Sequence, residues 1–564
     1  MTSGFDTIIV GGGAAGCVLA NRLSAASGRR VLLLEAGQDM PPGEEPADVL
    51  DTYPISYYND AYMWSGLKVH WRRRDNSPEV GFSQGRLMGG GSSVMGMVAL
   101  RGTPDDYAEW EAQGAAGWCW NDVLPFFRKL EHDTDFPGDL HGAEGPVPIR
   151  RTPMEDWPPL SRALHAFAQE RQIPLIADMN GDFRDGYASV PMSNWPDKRA
   201  SAAICYLDAA VRRRSNLTIV GGATITQLLF EGRRAIGVKA NVAGQETQFL
   251  GREIILSAGA IHSPALLMRS GIGPAGHLSE LGIEVRADLA GVGENLSNHA
   301  ILFVALHLKP EGRQSPSLRP HPTTLFRISS GVPGCPRADM YINVQSKTSW
   351  SALGHQIANL APVLWKPMAR GRVALRSADH GQEPLVEFNF VGHELDLKRF
   401  MVAFRRTVEM LMHEKVRELG GVSFPVKFTD GLRLLNRRSL VNAAKSTAIA
   451  KLIDLVPALG APIFATLADR KVDLVKLVAD DDALAEHIRD NVGGQFHVVG
   501  TCRMGAANDR QAVVDPAGRM RGFDALRVVD ASIMPTVTRG NTNIPTIMLA
   551  EKISAAIVAE PSGA

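Results

Sequence analysis

The sequence predicts an α/β protein of more than one domain, and two observations carry that expectation. The chain has 564 residues and is 45% hydrophobic. A single core stops growing at about half that length, so at least two units are expected. The second observation is the opening of the chain, where strand, glycine turn, helix and strand signals follow without a gap. Phe5 to Val10 reads as a short buried strand. Gly11-Gly12-Gly13-Ala14-Ala15-Gly16 comes directly after it. Cys17 to Leu23 has helical periodicity, and Arg30 to Leu34 reads as a second buried strand ending at Glu35 and Ala36.

Each part of this unit has a physical reason. Gly11 permits the tight turn, Gly13 lets backbone approach a pyrophosphate, and Gly16 lets the helix pack close to the sheet. Ala14 and Ala15 keep the first helical turn small. The helix N-terminus offers free N–H groups and the positive end of its dipole. Glu35 can accept hydrogen bonds from a ribose diol, which disfavours a 2′-phosphate. The pattern is therefore a Rossmann-type dinucleotide site, and by itself it does not separate FAD from NAD.

Composition removes several other classes. Lys plus Arg equals Asp plus Glu at 60 each, so no nucleic-acid or polyanion partner is indicated. The basic runs Arg72-Arg73-Arg74 and Arg212-Arg213-Arg214 read as solvated faces. Five scattered cysteines lack Cys-x-x-Cys spacing, which argues against a disulfide framework or a metal site and for a reducing, cytoplasmic setting. The N-terminus lacks the basic start and cleavage site of a signal peptide. No uncharged apolar run is long enough to span a bilayer. The most apolar stretch, 444–466, is read as a buried helix.

A second glycine cluster occupies 84–102, reading QGRLMGGGSSVMGMVALRG. Its glycines and serines form a loop that can press against a flat ligand. Just upstream, Gly81-Phe82-Ser83-Gln84-Gly85 matches the nucleophile elbow of hydrolases. That elbow needs a helix directly after the serine, and here a glycine loop follows instead. The match is read as chance.

Taken together, spaced motifs along essentially the whole chain resemble the glucose–methanol–choline (GMC) oxidoreductase family. They are the N-terminal fingerprint, Gly85 to Ser93, Gly259-Ala260-Ile261-His262-Ser263-Pro264 continuing through Ser270 to Pro274, Gly291 to Leu296, His497 to Gly505, and Val529 to Pro535. Asn491-Val492-Gly493-Gly494 and Asn541 to Thr546 resemble the bacterial furfural-oxidase and aryl-alcohol-oxidase-like branch, and choline dehydrogenases share much of the pattern.

The resemblance implies an FAD-binding domain and a substrate domain with an antiparallel sheet and helices. The FAD domain is expected over 1–155, 216–300 and 490–564, and the substrate domain over 156–215 and 301–489. FAD contacts are implied at Arg86, Met88, Gly89, Gly90, Gly91, Ser92, Met95, Gly96, Met97 and Val98. Further contacts are implied at Ile225, Ala258, Gly259, Asp530, Ala531, Asn541, Thr542 and Asn543. The helix after Pro545 offers the cofactor a second N-terminus. Met95 stands where most relatives carry an asparagine. Val94 stands where some relatives carry a histidine that bonds FAD covalently, so attachment here is expected to be non-covalent.

Alcohol oxidation by a flavin needs a base for the hydroxyl proton and a group that holds the alcohol oxygen. Histidine suits the first role because its ordinary pKa is near neutral. The resemblance makes His497 the base and Asn541 the positioning residue. It adds Met97, Trp365 and Phe496 to the substrate pocket. His262 and His299 are expected only to pack or hydrogen-bond near the cofactor fold. Residues 310–336, rich in Pro, Ser and Arg, read as a long loop, and the resemblance implies that it borders the entrance as a lid.

The leading expectation is thus oxidation of a small furanic or benzylic primary alcohol, with oxygen as electron acceptor. The alternatives are a choline-like or aliphatic alcohol dehydrogenase with another acceptor, a non-catalytic flavin protein or flavin lyase, and, remotely, a hydrolase acting through Ser83.

Overall fold

The structure is a computed structural model that describes residues 4–426, 430–467 and 472–560. The outermost residues of the expected 1–155 and 490–564 segments lie outside the described residues. Two sheets organise the chain, and one extended hydrophobic core runs beneath both.

The first sheet has seven strands. Its parallel centre runs Leu217–Val220, Val31–Leu34, Phe5–Val10 and Gln245–Leu256, with Leu526–Val528 parallel to the last. Val31–Leu34 and the ends of Phe5–Val10 and Gln245–Leu256 are buried apolar runs because both faces are covered there. Gln245–Leu256 serves two neighbours. Its second half pairs parallel with Phe5–Val10, and its first half pairs antiparallel with Arg234–Val242, which pairs onward with Ala223–Glu231. Helices Ala14–Leu23 and Asn543–Ala559 pack against each other over this sheet. The terminal helix begins two residues before Pro545, where a missing N–H costs nothing.

The second sheet is antiparallel in the order Gly420–Val426, Phe303–Leu308, Ile357–Leu364, Met340–Gln345, Pro322–Ile328 and Gly186–Ser189. Helix Glu394–Met412 covers it. The observed architecture is the expected α/β one, a Rossmann-type unit beside an antiparallel sheet with helices.

Two readings are corrected. Residues 310–336 are not a continuous loop, because Pro322–Ile328 is a fully buried strand. Its Thr-Thr-Leu-Phe core is β-forming, and the prolines and serines around it masked that signal. The stretch 444–466 is not a buried helix either. It falls in helices Leu440–Leu455 and Gly460–Leu467, and much of the first is exposed.

Candidate active site

Two positions of the N-terminal turn, Gly11 and Gly16, admit only glycine. Gly11 has a φ of +101°, and a Cβ there would sit 2.5 Å from the Ser257 carbonyl oxygen. A Cβ on Gly16 would sit 1.9 Å from the Gly11 carbonyl oxygen. Helix Ala14–Leu23 starts at Gly13 with no side-chain cap and no acid in its first turn, which leaves its N–H groups available to an anion. Glu35 is buried and accepts the Gly12 N–H at 2.7 Å and the Gly37 N–H at 2.8 Å. It therefore ties the turn to the end of the second strand and keeps lone pairs to spare.

The second glycine loop lies against the first. The Gly89 N–H donates to the Gly12 carbonyl at 2.7 Å, and a Cβ on Gly90 would come within 3.1 Å of the Gly13 Cα. Ser92 Oγ accepts the Ala202 N–H at 3.0 Å. Arg199, fully buried, braces the loop from behind by donating to the Ser92 and Met95 carbonyls at 3.2 and 2.6 Å. Arg86 lies over the Trp64 ring at 4.9 Å, donates to Thr224 Oγ1 at 3.4 Å beside Ile225, and has a buried Nε without a hydrogen-bond partner. That orphan donor, the open helix end and the backbone-on-backbone cradle suit a dinucleotide.

A cavity of about 610 Å³ begins at this cradle and runs into the second sheet. Ala14, Gly91, Ser92, Met95, Gly96, Met97, Val98, Gly259, Ala531, Asn541, Thr542 and Asn543 line it together with Phe496 and His497. Met88, Gly89, Ala15, Ala36 and Ala258 are not among the lining residues. Val94 also faces the cavity and offers no nucleophile. Met97 holds a φ of +61° there, a conformation that costs a side-chain-bearing residue energy and clusters at functional sites.

Strand pairing brings His299 and His497 together. Ala300–Ile301 pairs antiparallel with Gly493–Gly494, and Ser297 bridges Val499. Between them the Gln495 N–H donates to the His299 carbonyl, and the His497 N–H donates to Asn298 Oδ1 at 3.0 Å. The side chains then form a chain of four groups. His299 Nε2 lies 3.0 Å from the Thr538 carbonyl, His299 Nδ1 lies 2.8 Å from His497 Nδ1, and His497 Nε2 lies 2.9 Å from Asn541 Nδ2. The Thr538 carbonyl only accepts, so His299 carries its hydrogen on Nε2. His299 Nδ1 is therefore the acceptor, and His497 Nδ1 donates to it. That leaves His497 Nε2 unprotonated, accepting an Asn541 Nδ2 hydrogen at the cavity wall. Burial pushes His497 down to about 3. Burial, with the neighbouring His497, also holds His299 well below the ordinary histidine value. Both rings are neutral.

The sequence implies for His299 only packing or a hydrogen bond near the cofactor fold, not a contact with His497. The signal for more was present, because Asn298-His299 follows the Gly291 to Leu296 segment, but the pairing with 493–499 is invisible without the fold. Asn541 and Asn543 both reach the cavity, and it is Asn541 that meets His497.

Trp365 is a correction. It is fully buried and stacks on Tyr341 at 4.5 Å. Tyr341 lines the cavity at that point, accepting the Gln495 Nε2 hydrogen at 2.6 Å, while Trp365 stands behind it. Phe496 packs on Tyr57 at 5.4 Å and on Phe82 at 5.3 Å, giving the cavity an aromatic wall. The Asp530 carboxylate is spent on the Gly259 N–H, the Ser263 hydroxyl and the Ser532 N–H at 2.8, 2.6 and 2.8 Å. It pins the loop after Gln245–Leu256 and leaves Ala531 to face the cavity. His262 stacks on Trp64 at 4.3 Å and pairs with Glu383 at 3.0 Å, the packing role expected of it. Ser83 is followed by extended chain, and the next helix is only Gly91–Val94. The elbow geometry is absent there.

Comparison with known proteins converges on one family. Residues 5–301 match the N-terminal model of the GMC oxidoreductases, and residues 367–550 match the C-terminal model. The chain is 39% identical to 5-(hydroxymethyl)furfural oxidase of Methylovorus sp., covering 99% of each chain. It is 31% identical to oxygen-dependent choline dehydrogenase of Photobacterium profundum, covering 99% of this chain and 94% of that one. Among solved structures it resembles pyridoxine 4-oxidase of Mesorbium loti, with a TM-score of 0.81 and 25% identity over 99% of both chains. On motifs, fold and full-length similarity, the chain belongs to the GMC oxidoreductase family.

Proposed function

We propose that this protein oxidises a small furanic or benzylic primary alcohol, with non-covalent FAD in the double-glycine cradle and oxygen as the final acceptor. The single observation that carries this reading is His497 at an aromatic-walled cavity, with Nδ1 on His299 and Nε2 accepting only from the Asn541 amide.

The cradle, the uncapped helix end and the unpartnered Arg86 Nε fit a flavin dinucleotide. Bound there, FAD supplies a two-electron acceptor for the hydride leaving the alcohol carbon. The residues of the chain manage the proton. The alcohol hydroxyl donates to His497 Nε2, displacing one of the two Asn541 amide hydrogens, which is then free to bind the alcohol oxygen. The hydroxyl grows more acidic as its carbon loses hydride, so a base of low affinity takes the proton only when the C–H bond breaks. His299 prevents His497 from turning its N–H toward the substrate.

The aromatic wall of Tyr57, Phe82, Tyr341 and Phe496 supports a flat neutral substrate. Arg72, Arg433 and Arg489 line the cavity against one carboxylate, Asp490, a balance that disfavours a quaternary ammonium. The similarity to a furfural oxidase supports oxygen as acceptor.

The test is anaerobic mixing of the purified yellow protein with furanic, benzylic and choline-type alcohols, followed by oxygen. Rapid bleaching by an aryl or furan alcohol and rapid recovery with oxygen are expected. Bleaching by choline alone would replace the substrate class, and slow recovery with oxygen would replace the acceptor.

A further inference from the structure

Among the described residues no single helix is long and apolar enough to cross a bilayer. Helix Leu440–Leu455 nonetheless has two contrasting faces. Ser446, Ala450 and Ile453 are buried on the inner one, and Ser446 and Ile449 line the same cavity as His497. The outer face is exposed and apolar. At about 100° per residue, Val441, Ala444, Ala448, Leu452 and Leu455 fall in one stripe about 80° wide. Lys445 lies just outside one edge of that stripe and Lys451 just outside the other, and both are exposed. Val441 is 61% exposed, Leu455 81%, and Leu440 at the helix start 91%. After a bend of 118° the apolar surface continues through Val456 and Leu459.

The charges say what this face is built for. Protein interfaces are depleted in lysine at their cores. A helix lying flat in a membrane interface has an apolar stripe with lysines at both edges, whose stems lie along the lipid while their ammonium groups reach the headgroups. The acid on this helix, Asp454, is turned off the stripe and paired with Arg313 at 3.1 Å. Arg437 and Arg438 flank the helix start, paired with Asp60 and Asp48. The outward field around the stripe is therefore cationic.

We propose that this face rests on an anionic phospholipid surface, with Leu440–Leu455 lying in the interface and its inner face walling the cavity. This inference does not depend on which alcohol the site accepts.

The holoenzyme would be floated through a sucrose gradient with vesicles of phosphatidylcholine plus phosphatidylglycerol, and with vesicles of phosphatidylcholine alone. Flotation with the anionic vesicles, weakened by added salt, is expected. Lys445→Glu with Lys451→Glu is expected to weaken it about tenfold or more, because each basic residue near an anionic surface contributes on the order of 1 kcal/mol. Leu452→Asp with Leu455→Asp is expected to abolish it. Unchanged melting by circular dichroism and unchanged flavin absorbance show that each variant is folded. The proposal is overturned if the parent protein fails to float, or if the aspartate variant floats equally well. It is also overturned if light scattering shows a stable dimer that the aspartate variant breaks, since a second copy would then cover the stripe.

Discussion

His141 is buried and His497 is half-buried at the cavity wall, and the fold sets them in opposite states. His141 Nδ1 lies 3.2 Å from Glu131 and 3.1 Å from Asp133, and its Nε2 lies 2.9 Å from Asp178. Both nitrogens face carboxylates, so both must carry hydrogen. Arg101 on Glu131, and Arg151 on Asp133 and Asp178, share the charge. Burial alone would lower His141, but hydrogen bonds to Asp133, Asp178 and Glu131 outweigh it and raise it to about 10. His497 has a neutral histidine on one nitrogen and an amide on the other, and burial takes it down to about 3. The comparison teaches that burial lowers a histidine unless carboxylate partners outweigh it. A ring meant to clamp is given acids, and a ring meant to accept a proton is kept away from them.

The sharpest way to break the comparison is to remove each ring. His497→Ala is expected to slow anaerobic flavin bleaching by about 10²- to 10⁴-fold, the usual value of a positioned base. FAD content should be unchanged, and a variant that bleaches at the parental rate would remove His497 from the reaction. His141→Leu should do the reverse. It leaves three acids with two arginines in a buried cluster, and losing one partner of such a cluster costs about 3–5 kcal/mol. The variant should therefore melt well below the parent while its folded fraction bleaches at the parental rate.

Much of this was legible in the sequence, and the illegible part has a common cause. The strand Phe5–Val10, the glycine turn and Glu35 are local signals, because turn glycines and helix periodicity act over a few residues. His497 and Asn541 came from motif resemblance. His299, Arg199 and Tyr341 were missed because their positions depend on partners far away in sequence. His299 meets His497 only through the pairing of Ala300–Ile301 with Gly493–Gly494. The resemblance puts Trp365 in the pocket, yet the register of Ile357–Leu364 against Met340–Gln345 puts Tyr341 in front of it. The strand Pro322–Ile328 was hidden by the composition of its flanks. For the side chains a tertiary contact set the outcome, whereas the strand carried a local preference that its flanks masked.

A finer test exchanges the partner instead of the ring. His299→Phe keeps the packing but removes the acceptor for the His497 Nδ1 hydrogen. It is expected to slow bleaching by about 10- to 100-fold, the scale on which partners that orient a functional histidine act. His299→Asp is more informative, because it supplies His497 with the kind of neighbour His141 has. The acid limb of kcat/KM, expected near 3 in the parent, should then move up toward the ordinary histidine range. A purely structural role for His299 would lower the rate without moving that limb.

The smallest effect is the pH dependence of stability, where the two rings should pull in opposite directions. His141 is raised in the folded protein, so the folded state holds its proton more tightly than the unfolded chain does. Its contribution is fully present below about pH 6.5 and is lost as pH rises through about 10. His497 is lowered, so the unfolded chain takes up a proton that the folded site refuses. That penalty is absent above about pH 6.5 and grows as pH falls toward about 3. His321, half-buried in the cavity wall and also lowered to about 3, adds to the acid side in the same sense. Thermal melts across pH should therefore show the alkaline fall flattened in His141→Leu and the acid fall reduced in His497→Ala. Equal flattening at both ends in either variant would mean that the two rings do not differ in charge, and the contrast drawn from their partners would fail.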